Sequence, residues 1–103
     1  MNDKIQDTEK IVNHWFESSN QNYRTMLNLY ASKDYDWVLF MGHLVIEKLL
    51  KALYVKINQK HAHFTHDLLR LASNLNLKIT VNYEEWLDDL TTFNINARYD
   101  NYK

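Results

Sequence analysis

Apolar side chains, interrupted by Ser19, recur every three or four residues through the first third of the chain: Val12, Phe16, Tyr23, Met26 and Tyr30 follow one line with Ser19, and Ile11, Trp15 and Leu27 lie beside it. That period is helical, and it predicts one long amphipathic helix from about Asp7 to Ser32. The polar break SKDYD follows, in which Asp34 or Asp36 can cap a second helix from about Tyr35 to Ile57. Leu39, Ile46, Leu49, Leu50, Leu53 and Ile57 make one side of it, widened by Val45 and Ala52, so this helix is expected at the centre. After the polar link NQKHAH, Thr65 is expected to cap a third helix bearing Leu68, Leu69, Leu71, Ala72 and Leu75. Asp67 then falls in its first turn, where negative charge complements the helix dipole. NLNLKITVN alternates as a strand would, but no second strand candidate exists to pair with it, and an extended connection is expected. A fourth helix from about Tyr83 to Asn96 uses Trp86, Leu87, Leu90 and Phe93, with Glu84 and Glu85 in its first turn.

Breakers are scarce, which strengthens the helical reading. There is no proline and Gly42 is the one glycine, so glycine-dependent tight turns are almost unavailable. The expected class is all-α, an antiparallel up-and-down bundle, and the 103 residues suit one domain with a modest core. A net charge of −1 provides no overall basic field, so a nucleic-acid or membrane surface has to be argued from local patches. Cysteine is absent, which excludes disulfides and thiolate chemistry and fits a reducing compartment. The polar start MNDKIQDTEK lacks a signal-peptide apolar region, and no run approaches the roughly 18 apolar residues of a membrane span. A soluble cytoplasmic protein is therefore expected.

Three clusters carry candidate chemistry. His43, Glu47 and Lys51 are spaced four apart and form one polar line along an otherwise apolar helix, with Lys48 beside it. The simplest reading of Glu47 and Lys51 is an exposed pair on a solvated face, worth about 0.2–0.5 kcal/mol. The alternative is a polar stripe facing a cleft or a dimer seam. His61, His63 and His66 are close in sequence, but zinc needs ligands that converge tetrahedrally, and the cysteine, distant histidine or carboxylate to complete a site is not evident. No metal is expected, and His61 and His63 read as solvated loop residues. In the tail, Arg98 beside Tyr99 offers a guanidinium that can bind a carboxylate or phosphate bidentately, or can simply complement a helix C-terminus.

Taken in order, DWVLFMGHLVIEKLLKALYVK, THDLLRLA and ARYD resemble the HEPN family, the higher eukaryotes and prokaryotes nucleotide-binding domain. The family's Glu-Lys pair with a further Lys and Ala matches Glu47, Lys48, Lys51 and Ala52. Its Thr-His-Asp-Leu element matches Thr65 to Leu68, and its Ala-Arg-Tyr element matches Ala97, Arg98 and Tyr99. The resemblance implies a bundle of four to five helices, usually a homodimer, often associated with a minimal nucleotidyltransferase and found in toxin–antitoxin or defence systems. Catalytic members are metal-independent ribonucleases marked by an Arg followed, after four to six residues, by a His. This chain departs from that motif: the first permitted position after Arg98 is Lys103, and Arg24 and Arg70 also lack the His. Family members commonly continue through another helix, so the expectation is a domain lacking that last helix.

The favoured expectation is a non-enzymatic module that binds a nucleotide or RNA phosphate, or docks a nucleotidyltransferase, as a dimer and without a cofactor. Its polar residues would be Glu47, Lys48, Lys51, His66, Asp67, Arg98 and Tyr99, with Lys51 and Arg98 on phosphate, Glu47 orienting one of them, and His66 paired with Asp67. The alternatives are a divergent ribonuclease in which His66 or His43 replaces the missing motif histidine, and a purely structural role in which Glu47 and Lys51 register a dimer.

Overall fold

The computed structural model describes residues 7–100, with side chains described through residue 97. The described residues form four helices and no strand: α1 (Thr8–Ala31), α2 (Tyr35–Asn58), α3 (Leu68–Ser73) and α4 (Val81–Asp100). The first two are 24 residues each and match the sequence expectation to within a residue or so at each end. With glycine nearly absent, the breaks between helices use left-handed residues of other types: Lys33 after α1, Gln59 after α2 and Asn76 after α3. At the first break the N–H groups of Lys33 and Asp34 donate to the carbonyls of Tyr30 and Leu29, closing the end of α1.

The α1/α2 pair is an antiparallel hairpin. Met26 lies against Gly42, Ser19 against Val45, Ser18 and Asn22 against Lys48, and Trp15 against Lys51, so position falls along α1 as it rises along α2. Helix α2 packs on all three other helices, whereas α1 packs on α2 alone. The expected central position of α2 is therefore observed.

Its orientation is not the expected one. His43, Glu47 and Lys51 are buried, which corrects the reading of Glu47 and Lys51 as a solvated surface pair, while Leu39, Leu49 and Ile57 of the expected apolar side are exposed. The stripe on α1 is turned in the same sense. Ser19 is buried and Val12 and Met26 are half-buried, but Phe16, Tyr23 and Tyr30 face outward. The seam of the hairpin is consequently polar at its middle. There Lys48 Nζ donates to Ser18 Oγ and Asn22 Oδ1, both at 2.6 Å, so polar positions of the two helices satisfy one another across the seam.

The apolar core is small and sits where α2 meets α3, around Ala52, Val55, Leu68, Leu71 and Ala72. Helix α3 is shorter than expected and stops before Leu75. Its N-cap is Asp67 rather than Thr65: Asp67 Oδ1 accepts from the Arg70 N–H, and Thr65 Oγ1 accepts from the N–H of Asp67 itself. Thr91 of α4 reaches the same helix start, its Oγ1 accepting from the buried Leu68 N–H at 3.1 Å. Residues 77–80 form the expected irregular connection. Helix α4 starts at Val81 and continues past Asn96, so the Ala97-Arg98-Tyr99 element lies within the helix instead of after it.

Candidate functional site

Glu47 is the centre of the polar line, and both of its oxygens are used. Oε2 accepts from Lys51 Nζ at 3.2 Å, one turn along α2, with the acid on the N-terminal side, the favourable order for such a pair. Oε1 accepts from His66 Nδ1 at 2.7 Å, nineteen residues away at the entrance to α3. Lys51 Nζ also lies 5.2 Å from the centre of the Trp15 ring, which covers it from the α1 side. A carboxylate enclosed in this way would be strongly disfavoured without compensation; a lysine and an imidazole N–H on opposite oxygens supply it.

His43 completes the arrangement from one turn back. Its Nε2 is 2.7 Å from the His66 carbonyl oxygen, and because a carbonyl only accepts, Nε2 carries the proton there. His43 Nδ1 lies 3.8 Å from Glu47 Oε1. Helix α2 thus grips His66 twice, by its main chain through His43 and by its ring through Glu47. The i, i+4 spacing makes that possible, since two residues one turn apart present their side chains to the same point of the facing loop.

The His66 ring is nevertheless 49% exposed. Its Nδ1–H is committed to Glu47, so Nε2 is the ring atom offered outward: an acceptor in the neutral ring, a donor in the charged one. The combination of a buried carboxylate, a fixed tautomer and a half-open ring is the most distinctive chemical feature among the described residues.

Several sequence-derived roles change once these positions are known. Lys51 is turned inward on Glu47 and Trp15, and Lys48 is occupied by Ser18 and Asn22, so both hold the hairpin together instead of standing open for phosphate. Asp67 does not pair with the His66 ring; its carboxylate caps α3. Glu47 accepts from both Lys51 and His66. The side chains of Arg98 and Tyr99 lie outside the described residues. His61 and His63 are exposed, with the His63 ring 5.2 Å from that of Tyr54, and among the described residues no group of three or more metal-ligating side chains converges. Trp15, Ser18, Ser19, Asn22 and Thr91 were not singled out as supports of the site. The one sequence signal for the α1 group was the run of small polar residues at positions whose helical phase is close to the stripe.

A second feature lies beside the polar line, between α2, the 77–80 connection and α4. Ile46, Leu77, Ile79, Tyr83, Leu87 and Leu90 line an almost wholly apolar groove of about 460 Å³, with the exposed Trp86 at its margin.

These observations define a class: an all-α bundle in which a central helix holds a histidine at the surface through a buried glutamate. The HEPN domain model matches residues 12–103, and the chain belongs to that family. No curated protein and no solved structure matches it. Among the described residues no helix is long and apolar enough to cross a membrane.

Proposed function

We propose that this HEPN domain is a non-enzymatic module that binds a nucleotide or an RNA phosphate through His66, acting as a dimer. The observation that carries the reading is the double fixation of His66 by His43 and Glu47, which leaves a half-exposed ring with a single atom to offer. An imidazole needed only for packing has no use for a buried carboxylate that disfavours folding unless it is fully partnered. A ring held in one tautomer and one orientation meets a ligand with less entropy to lose. Arg98 and Tyr99, carried near the end of α4, are the proposed second contacts, with the guanidinium on phosphate.

Dimerisation is supported by the apolar surface that one chain leaves open. Leu49 and Ile57 of α2 and Trp86 of α4 are exposed, and Trp86 also lines the apolar groove; exposed apolar area of this kind seldom stays in water. A nucleotidyltransferase partner, in a toxin–antitoxin-like pairing, would be an alternative occupant of the same surface.

The test is calorimetric titration with ATP, GTP and a short single-stranded RNA, using protein whose mass has been established by light scattering. Micromolar binding by a dimer, lost in both His66→Ala and Arg98→Ala, is the expected result. Binding unchanged in both variants removes these residues from the site, and no binding by an intact dimer transfers the function to partner docking.

A ribonuclease is the second reading, and the Glu47–His66 pair is what favours it, since a carboxylate-oriented imidazole is a competent general base for a ribose 2′-hydroxyl. A leaving 5′-oxygen also needs a proton donor. His43 is fully enclosed and bonded to the His66 carbonyl, so it is poorly placed to be one. Purified protein that leaves varied RNAs intact, with and without divalent metal, excludes this reading.

A further inference from the structure

The loop between α2 and α3 presents Phe64 with 98% of its surface exposed, while Ala62 and Thr65 on either side are half-buried. Its ring centre is 6.4 Å from that of His66. From Lys48 to His66 the chain carries four lysines and three histidines and no carboxylate, whereas Glu84, Glu85, Asp88 and Asp89 crowd into the first half of α4. Lys48 and Lys51 are spent inside the hairpin, but Lys56 in the last turn of α2 and Lys60, His61 and His63 in the loop are exposed, and the Asp67 carboxylate that follows is committed to the α3 cap. A single aromatic ring among cations does not make an apolar patch for a protein partner. It matches a chain of phosphates bearing flat rings, because every base has a face that can stack and every phosphate a charge that Lys can meet.

We propose that Phe64 is a stacking platform for a base of single-stranded nucleic acid, whose adjoining ribose or phosphate is met by His66 Nε2. This rests on the reading of His66 as the ligand contact and adds what lies beside it: the base is held by area, the backbone by the oriented imidazole. Recognition is therefore tolerant of base identity but dependent on a base being present.

The decisive measurement is fluorescence anisotropy of a labelled short RNA and of a strand of the same length with abasic sites, each titrated with the full chain. Phe64→Ala removes an exposed ring and is expected to keep the helical circular dichroism signal while weakening RNA binding about five-fold to a hundred-fold, the range of one lost base–aromatic stack. Phe64→Trp is expected to retain or tighten binding. The abasic strand is expected to bind wild-type protein as weakly as RNA binds Phe64→Ala, with no further loss when the two changes are combined. RNA binding that is indifferent to both Phe64→Ala and the abasic sites overturns the stacking role and leaves the phosphate reading standing. No binding of either strand by wild-type protein overturns the stacking role and the RNA-phosphate reading together, and leaves binding of a free nucleotide to be decided by the calorimetric titration. Conversion of a dimer to a monomer by Phe64→Ala makes Phe64 a contact between copies, which also overturns the proposal.

Discussion

On the inner side of α2, His43, Glu47 and Lys51 are 0%, 4% and 6% exposed, whereas Leu49, about 200° around the helix from Glu47, is 40% exposed. The two sides reverse the ordinary expectation that carboxylates face water and leucines face the core. The inner side is tolerable because its charges are matched within the chain, Glu47 to Lys51 and to His66. Leu49 on the outer side is left in contact with water, which is the surface the proposed dimer would cover. Polarity alone therefore does not assign a face: Glu47 is inside because Lys51 and His66 meet it there.

The sharpest break in this comparison is Glu47→Ala, which leaves Lys51 enclosed without its carboxylate and releases the His66 ring. A loss of about 3–5 kcal/mol is expected from urea denaturation followed by circular dichroism. Replacing Glu47 and Lys51 together by Met is expected to return most of that stability while removing ligand binding, which would separate the site's role from the fold's. On the outer side, Leu49→Asp or Trp86→Ala is expected to weaken self-association by at least about 2 kcal/mol while leaving the helical content of each chain unchanged, as read by light scattering across a dilution series. A dimer that survives both substitutions places the interface elsewhere.

Smaller effects sharpen the contrast. Ser19→Ala removes the 3.0 Å hydrogen bond to the Val45 carbonyl at the polar seam and is expected to lower stability by about 1 kcal/mol. Asp67→Ala deletes the cap of α3 and is expected to cost about the same, with faster amide exchange at Arg70 as the local readout. Gln59→Gly, at a left-handed position after α2, is the one change expected to stabilise, by about 0.5 kcal/mol, since glycine adopts φ 54° without a Cβ clash.

The sequence by itself determined the class, the number of helices and their limits to a few residues. Helical periodicity and the scarcity of breakers are local properties, and they survive whatever the helices later pack against. It also placed His43, Glu47 and Lys51 on one line and, through the HEPN motifs, which include His66, pointed to the family that residues 12–103 match. Tertiary structure alone decided which way that line points. Periodicity fixes angles within one helix, while burial depends on the helix across the seam, and Ser18, Asn22 and Trp15 of α1 are what make the charged side of α2 the inner one. The pairing of Glu47 with His66 in place of Asp67 with His66 was likewise beyond sequence reading. Asp67 is adjacent in the chain, but its carboxylate is claimed by the Arg70 N–H, and Glu47, nineteen residues away, is brought within 2.7 Å only when α2 and the α3 entrance pack together.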